Sequence, residues 1–156
     1  MDECHIVDPI AVDILKVVRD IARQGELPVY STRDHEGFWR FLIVRPAAVT
    51  GDLMINVVTS KYNADVAETL KTRLMSEFPK ITSLINGVTT SKASVAFCEK
   101  EYLLAGKSTI NEKLGEYSFS ISANSFFQTN SLQAKKLYDI ALDYAEFKGD
   151  ELVYDL

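Results

Sequence analysis

The feature that most constrains this chain is a change of apolar period near residue 38. Before it, Ile10, Ile14, Val17, Val18 and Ile21 recur at helical spacing and make one apolar face. Asp8 can cap that helix, Pro9 suits its first position, and Gly25 suits the position just past its end. After it, Phe38 to Val44 is rich in aromatic and β-branched residues and reads as a strand. Thr50, Gly51 and Asp52 carry turn chemistry, and Leu53 to Thr59 reads as the second arm of a hairpin.

The pattern continues in the same mixed style. A second helix is predicted at about residues 63 to 77, where Val66, Leu70 and Leu74 lie four apart with Ala67 and Met75 beside them, and Pro79 bars its continuation. Strands are predicted at 81–89, 94–98 and 101–105, the last closed by Gly106. Tyr117, Phe119 and Ile121 alternate with serines, which describes a further strand with one buried face. Asn130 and Gln133 form the reciprocal pair of a capping box for a third helix. Leu137, Ile140, Ala141 and Tyr144 share one face of it, and Gly149 is expected to stop it. The predicted fold is α+β, an antiparallel-rich sheet with helices packed on it.

The last six residues, Glu151 to Leu156, read as a short buried-type strand. A strand after a helix normally feeds a sheet whose other strands come later. The expectation is therefore a truncated chain, the front portion of a longer polypeptide. An unpaired final strand could also dimerise through its edge, an artefact of the cut.

Composition narrows the function classes. A chain of 156 residues with 47% hydrophobic and 25% charged side chains suits an ordinary globular domain and excludes disorder. No run approaches the ~20 apolar residues of a membrane helix, and the start has no signal-peptide pattern, so no membrane partner and a cytoplasmic home are expected. A net charge of −5 argues against a free-standing nucleic-acid binder. The basic residues Arg40, Arg45, Lys71, Arg73, Lys135 and Lys136 are scattered and read as surface charge; Arg40 and Arg45 would face opposite sides of a regular strand. Cys4 and Cys98 cannot form a disulfide framework or, unaided, a four-ligand zinc site. Cys98, within Val95-Ala96-Phe97-Cys98, reads as a buried thiol; Cys4 and His5 are neighbours that point to opposite faces; His35 sits in a charged loop. No serine, histidine and aspartate set converges on a hydrolase triad.

One segment is more specific. Ser125-Phe126-Phe127-Gln128-Thr129-Asn130, followed by an amphipathic helix and Leu152-Val153-Tyr154-Asp155-Leu156, resembles the start of the catalytic domain of the S-adenosylmethionine-dependent RNA uracil-5-methyltransferases. Glu3-Cys4-His5-Ile6, Gly37 to Arg45 and Gly51-Asp52-Leu53-Met54 fit the central region of that family. The "SFFQTN" wording is closer to the 23S ribosomal RNA branch than to the transfer RNA branch. The resemblance implies a central α+β domain over 1–122 and, over 123–156, the first helix and strand of an α/β Rossmann-like methyltransferase domain, cut before the loop that holds the cofactor.

That chemistry has stated needs. Carbon 5 of uracil is a weak nucleophile until a thiolate adds to carbon 6; a base then removes the carbon 5 proton, and the uridine must first be flipped out of the RNA. The resemblance implies that the nucleophilic cysteine and the base lie downstream of Leu156, so that this chain has no catalytic residue and is inactive alone. It places iron–sulfur cysteines, where the family has them, upstream. It assigns Gln128 to the cofactor and the target base, and Phe126 to the target base. An aromatic face can stack on an unstacked pyrimidine, and an amide offers a donor and an acceptor. Composition alone reads Phe126 and Phe127 as core, Gln128 as a loop group, and leaves Asp155 without a role. The competing readings are an autonomous, non-catalytic α+β interaction or RNA-binding module, and a small thiol enzyme using Cys98.

Overall fold

The opening helix is set by its ends. Asp8 Oδ1 accepts from Ile10 N–H at 3.0 Å, Pro9 takes the first turn, and α1 runs Pro9–Gln24 before Gly25 closes it. The computed structural model describes residues 4–154. The remaining elements are β1 (Trp39–Pro46), β2 (Leu53–Thr59), α2 (Ala64–Glu77), β3 (Ser83–Val88), β4 (Lys100–Gly106), β5 (Ile110–Leu114), β6 (Tyr117–Ile121) and α3 (Ser131–Ala145). Helix α2 is capped by Asn63, whose side chain accepts from the N–H groups of Asp65 and Val66. No helix among the described residues is long and apolar enough to cross a membrane.

Strands β1 to β4 form one sheet in that order, antiparallel at β1–β2 and β3–β4 and parallel at β2–β3, where α2 makes the crossover. Strands β5 and β6 form a separate hairpin. The fold is α+β, as the sequence pattern predicts.

Every residue of β2 and β3 is buried, because both faces of the sheet are covered. Alternate residues serve different cores. Leu53, Ile55, Val57 and Leu84 pack with Ile14, Val17, Val18 and Ile21 of α1 and Leu70 and Leu74 of α2. Met54 and Ile85 face the other way and meet Ala47, Ile110, Ile121 and Ala123. Polar side chains buried in these strands bond across them: Asn56 Oδ1 accepts from Gly87 N–H at 3.0 Å, and Asn86 Nδ2 donates to Val57 C=O at 2.8 Å.

Five expectations need correction. Residues 94–98 are not a strand: the Cys98 backbone is bonded to the Asn124 side chain at both its N–H and its C=O instead of to a ladder. Strand β5 carries no apolar run and escaped the sequence reading; a two-residue turn at Gly115 (φ +62°) and Glu116 pairs it with β6. In β6 only Ile121 is buried, since Tyr117 and Phe119 stay open to solvent. Helix α3 ends at Ala145, where Glu146 takes a left-handed conformation (φ +47°), ahead of Gly149.

The expected final strand is also absent over 151–154, which are exposed and unpaired with any strand. The Glu151 carboxylate accepts from Lys148 N–H at 2.7 Å and Gly149 N–H at 2.9 Å, which curls the chain back instead of extending it. Asp155 and Leu156 lie outside the described residues, so the edge proposed for dimerisation has no strand in the described part.

Candidate functional site

Residues 122–130 form the loop that joins β6 to α3, and it is held at several points. Ser122 and Ser125 bond to each other through their hydroxyls at 2.8 Å, with Ser125 N–H donating to Ser122 C=O at 3.2 Å. Arg45 donates from Nη1 to Ser122 C=O at 3.1 Å; burial pulls its pKa below the ordinary arginine value. Asn124 Oδ1 accepts from Cys98 N–H at 2.8 Å while its Nδ2 donates to Cys98 C=O at 2.9 Å. A loop fixed this way holds its next residues in one geometry without losing further entropy on binding.

Those residues are the aromatic pair, and the loop splits it. Phe127 turns inward against the second core, its ring 5.4 Å from that of Phe119. Phe126 turns outward and is 85% exposed. The core reading therefore holds for Phe127 and fails for Phe126, a distinction that two identical neighbours cannot show in sequence.

Gln128 follows at the rim of two hollows. One, of about 160 Å³, lies between β1 and the β5–β6 hairpin, with Arg45, Ala47, Glu112 and Phe127 in its wall. The other, of about 500 Å³, opens at the start of α3 beside Thr129, Asn130, Gln133, Lys136 and Leu137. Asn130 Oδ1 is occupied in capping, accepting from Gln133 N–H at 3.0 Å. The Gln128 amide is exposed and has no hydrogen-bond partner among the described residues. Both its donor and its acceptor are free for a ligand.

Glu112 underlies this arrangement and was not anticipated. It is buried on β5, and its carboxylate accepts from Ala48 N–H at 2.5 Å, Val49 N–H at 3.1 Å, Lys113 N–H at 2.8 Å and the Ser131 hydroxyl at 3.2 Å. It thus ties the β1–β2 turn to the first residue of α3. Beside it, Asp52 Oδ2 accepts from Asn111 N–H at 2.9 Å and Thr50 Oγ1 donates to Asn111 C=O. The signal was available: Ile110, Glu112 and Leu114 alternate, so an inward-facing strand carries an acid where an apolar residue belongs.

Other candidates resolve into structure. Arg40 sits at a bulge in β1, which removes the regular alternation expected of it, and donates to the carbonyls of Thr89, Ser91 and Ala93 while its guanidinium lies 4.0 Å from the centre of the Tyr30 ring. Arg40 and Arg45 are therefore internal clamps and not plain surface charge. Arg73 and Lys135 make helical-spacing pairs with Glu77 and Asp139 on the surface.

Cys98 is buried, and desolvation pushes its thiol above the ordinary cysteine range, outweighing a hydrogen bond from Asn56. A β-carbon added at Gly87 would stand 2.1 Å from its sulfur. A thiol so enclosed and so protonated is a poor nucleophile. Alkylation of the native protein, followed by peptide mass, is expected to modify Cys98 slowly and to accelerate in denaturant. Equal native and denatured rates would contradict this placement.

No protein-family model matches the chain. An uncharacterized RNA methyltransferase of Chlorobaculum tepidum is 40% identical over 157 residues, which take in 100% of this chain and 32% of that protein. One from Clostridium tetani is 33% identical over 155 residues, 99% of this chain and 34% of its own length. The chain is homologous, over its whole length, to one stretch of the RNA methyltransferases. It spans about a third of the curated relatives it matches. Among solved structures, the Pyrococcus abyssi tRNA (uracil-54, C5)-methyltransferase in complex with S-adenosyl-L-homocysteine is similar at a TM-score of 0.71 and 27% identity, covering 92% of this chain and 34% of that one.

Proposed function

We propose that this chain is the base-presenting edge of an enzyme that transfers a methyl group from S-adenosylmethionine to carbon 5 of a uridine in RNA. Residues 1–122 would form its central domain and 123–156 the opening of its cofactor-binding domain. The observation that carries the reading is the pairing, on one pinned loop, of the outward phenyl of Phe126 with the unpartnered amide of Gln128. The RNA methyltransferase relatives support RNA as substrate, and the wording of the loop favours ribosomal RNA. The solved neighbour, a transfer RNA enzyme, favours transfer RNA as the second reading.

Each residue has a physical task in this reading. Phe126 offers a face on which an extruded pyrimidine can stack. Gln128 offers N–H to a uracil carbonyl or a carboxylate and C=O to a ring N–H or an ammonium. Gln128, Thr129 and Lys136 bring donors and acceptors to the hollow at the start of α3, whose wall also includes the apolar Ala134, Leu137 and Ile140. S-Adenosylmethionine supplies an electrophilic methyl group when bound. The nucleophile would come from outside this chain, because Cys98 is enclosed. The 156 residues alone are accordingly expected to give background methyl transfer.

In the complete enzyme, Gln128→Ala is expected to lower kcat/KM or cofactor affinity by about tenfold, the loss of one hydrogen bond to a charged or reacting group. Steady-state kinetics with varied cofactor and RNA would measure it. Unchanged constants would remove Gln128 from the site.

A further inference from the structure

The loop between β3 and β4 holds a second aromatic ring out to solvent. Arg40 grips its start through the carbonyls of Thr89 (3.1 Å), Ser91 (2.6 Å) and Ala93 (3.2 Å). Thr90 Oγ1 donates to Glu99 at 2.8 Å across its base. Asn124 holds its end at Cys98. Between these clamps Phe97 is 58% exposed. The clamps hold both ends of the segment that carries this exposed ring.

The same clamp relates Phe97 to Phe126. The Asn124 side chain binds the backbone of Cys98, the residue that follows Phe97, and Asn124 stands two residues before Phe126, so one side chain joins the two loops that carry the exposed rings. Phe97 is one chain step and Phe126 two chain steps from that junction, at about 3.8 Å per step. In sequence, Lys92 and Lys100 lie on either side of Phe97 and are exposed, as phosphate contacts need, with the exposed Glu99 and Glu101 beside Lys100.

We propose that Phe97 is a second stacking platform, holding an unpaired nucleotide beside the uridine presented to Phe126, so that the RNA is bound single-stranded across both rings. This inference rests on the reading of the chain as part of an RNA uracil methyltransferase. Stacking on an aromatic ring is tolerant of base identity, so Phe97 would contribute affinity and register, not sequence choice.

The test uses the complete enzyme and a labelled single-stranded RNA containing the target uridine, with its duplex as a second arm. Binding would be followed by fluorescence anisotropy and 5-methyluridine by nucleoside mass. Phe97→Ala and Phe97→Leu are each expected to weaken binding of the single strand about tenfold, and Phe97→Trp to restore it. The duplex is expected to bind the wild type more weakly than the single strand. Wild-type affinity in Phe97→Ala, rescue by leucine as complete as by tryptophan, or equal binding of the duplex would each overturn the inference. Leucine rescue would assign the ring to an apolar protein contact instead. A fall in melting temperature beyond about 5 °C for Phe97→Ala would assign it to packing and overturn it equally. A wild type that makes 5-methyluridine while the Phe97 variants behave normally sinks the inference and spares the reading; a wild type that makes none sinks both.

Discussion

Replacing Glu112 with alanine is expected to remove about 3–5 kcal/mol of stability from this domain, a large share of the roughly 5–15 kcal/mol that holds one together. Three backbone N–H groups and the Ser131 hydroxyl converge on this one carboxylate. A methyl group in its place leaves them without an acceptor, in a position only 3% exposed. A buried unpaired donor costs about 1–3 kcal/mol; only the Ser131 bond is fully buried, and water can reach the three N–H groups on exposed residues, so the total stays below the simple sum. Glu112→Gln should recover little, because it keeps one acceptor oxygen and sets an N–H₂ against N–H donors. Denaturant midpoints of the three proteins would measure this. A loss under about 1 kcal/mol in Glu112→Ala would mean that the β1–β2 turn and α3 are held by other contacts.

Phe126→Ala should act in the opposite way, on activity and not on stability. The ring is 85% exposed, so its removal should leave the unfolding midpoint within the small range of surface substitutions, about 0.5 kcal/mol. If a flipped uracil stacks on it, the loss of about 1–3 kcal/mol per base lowers kcat/KM by roughly 10- to 100-fold. Phe127→Ala is the internal control. Its ring packs against the second core and Phe119, so it should cost about 2 kcal/mol of stability. Kinetics and unfolding measured on both variants separate the roles. A Phe126→Ala enzyme with wild-type kinetics, or a Phe127→Ala protein of wild-type stability, would reverse the assignment.

Local rules explain what the sequence made legible. Asp8, Pro9 and Gly25 bound α1 because capping acts between near neighbours, and the central strands stand out because both their faces are buried. The misreadings share another cause. Residues 94–98 look like a strand until Asn124, distant in sequence, takes their backbone bonds. Arg40 and Arg45 look like surface charge until the carbonyls they serve are brought beside them. Glu112 has value only when three separate segments meet on it. In the loop before α3, the motif singles out Phe126 and Gln128, but which way the Phe126 and Phe127 rings turn depends on the clamps around residues 122–125.

The central claim is that this edge presents uracil for methylation at carbon 5, and one label tests it. The complete enzyme would be incubated with S-adenosylmethionine and RNA carrying tritium at carbon 5 of uracil. Methylation there must displace the tritium, so the account predicts its release to water in step with methyl incorporation. Methyl incorporation with the tritium retained in the RNA would contradict it.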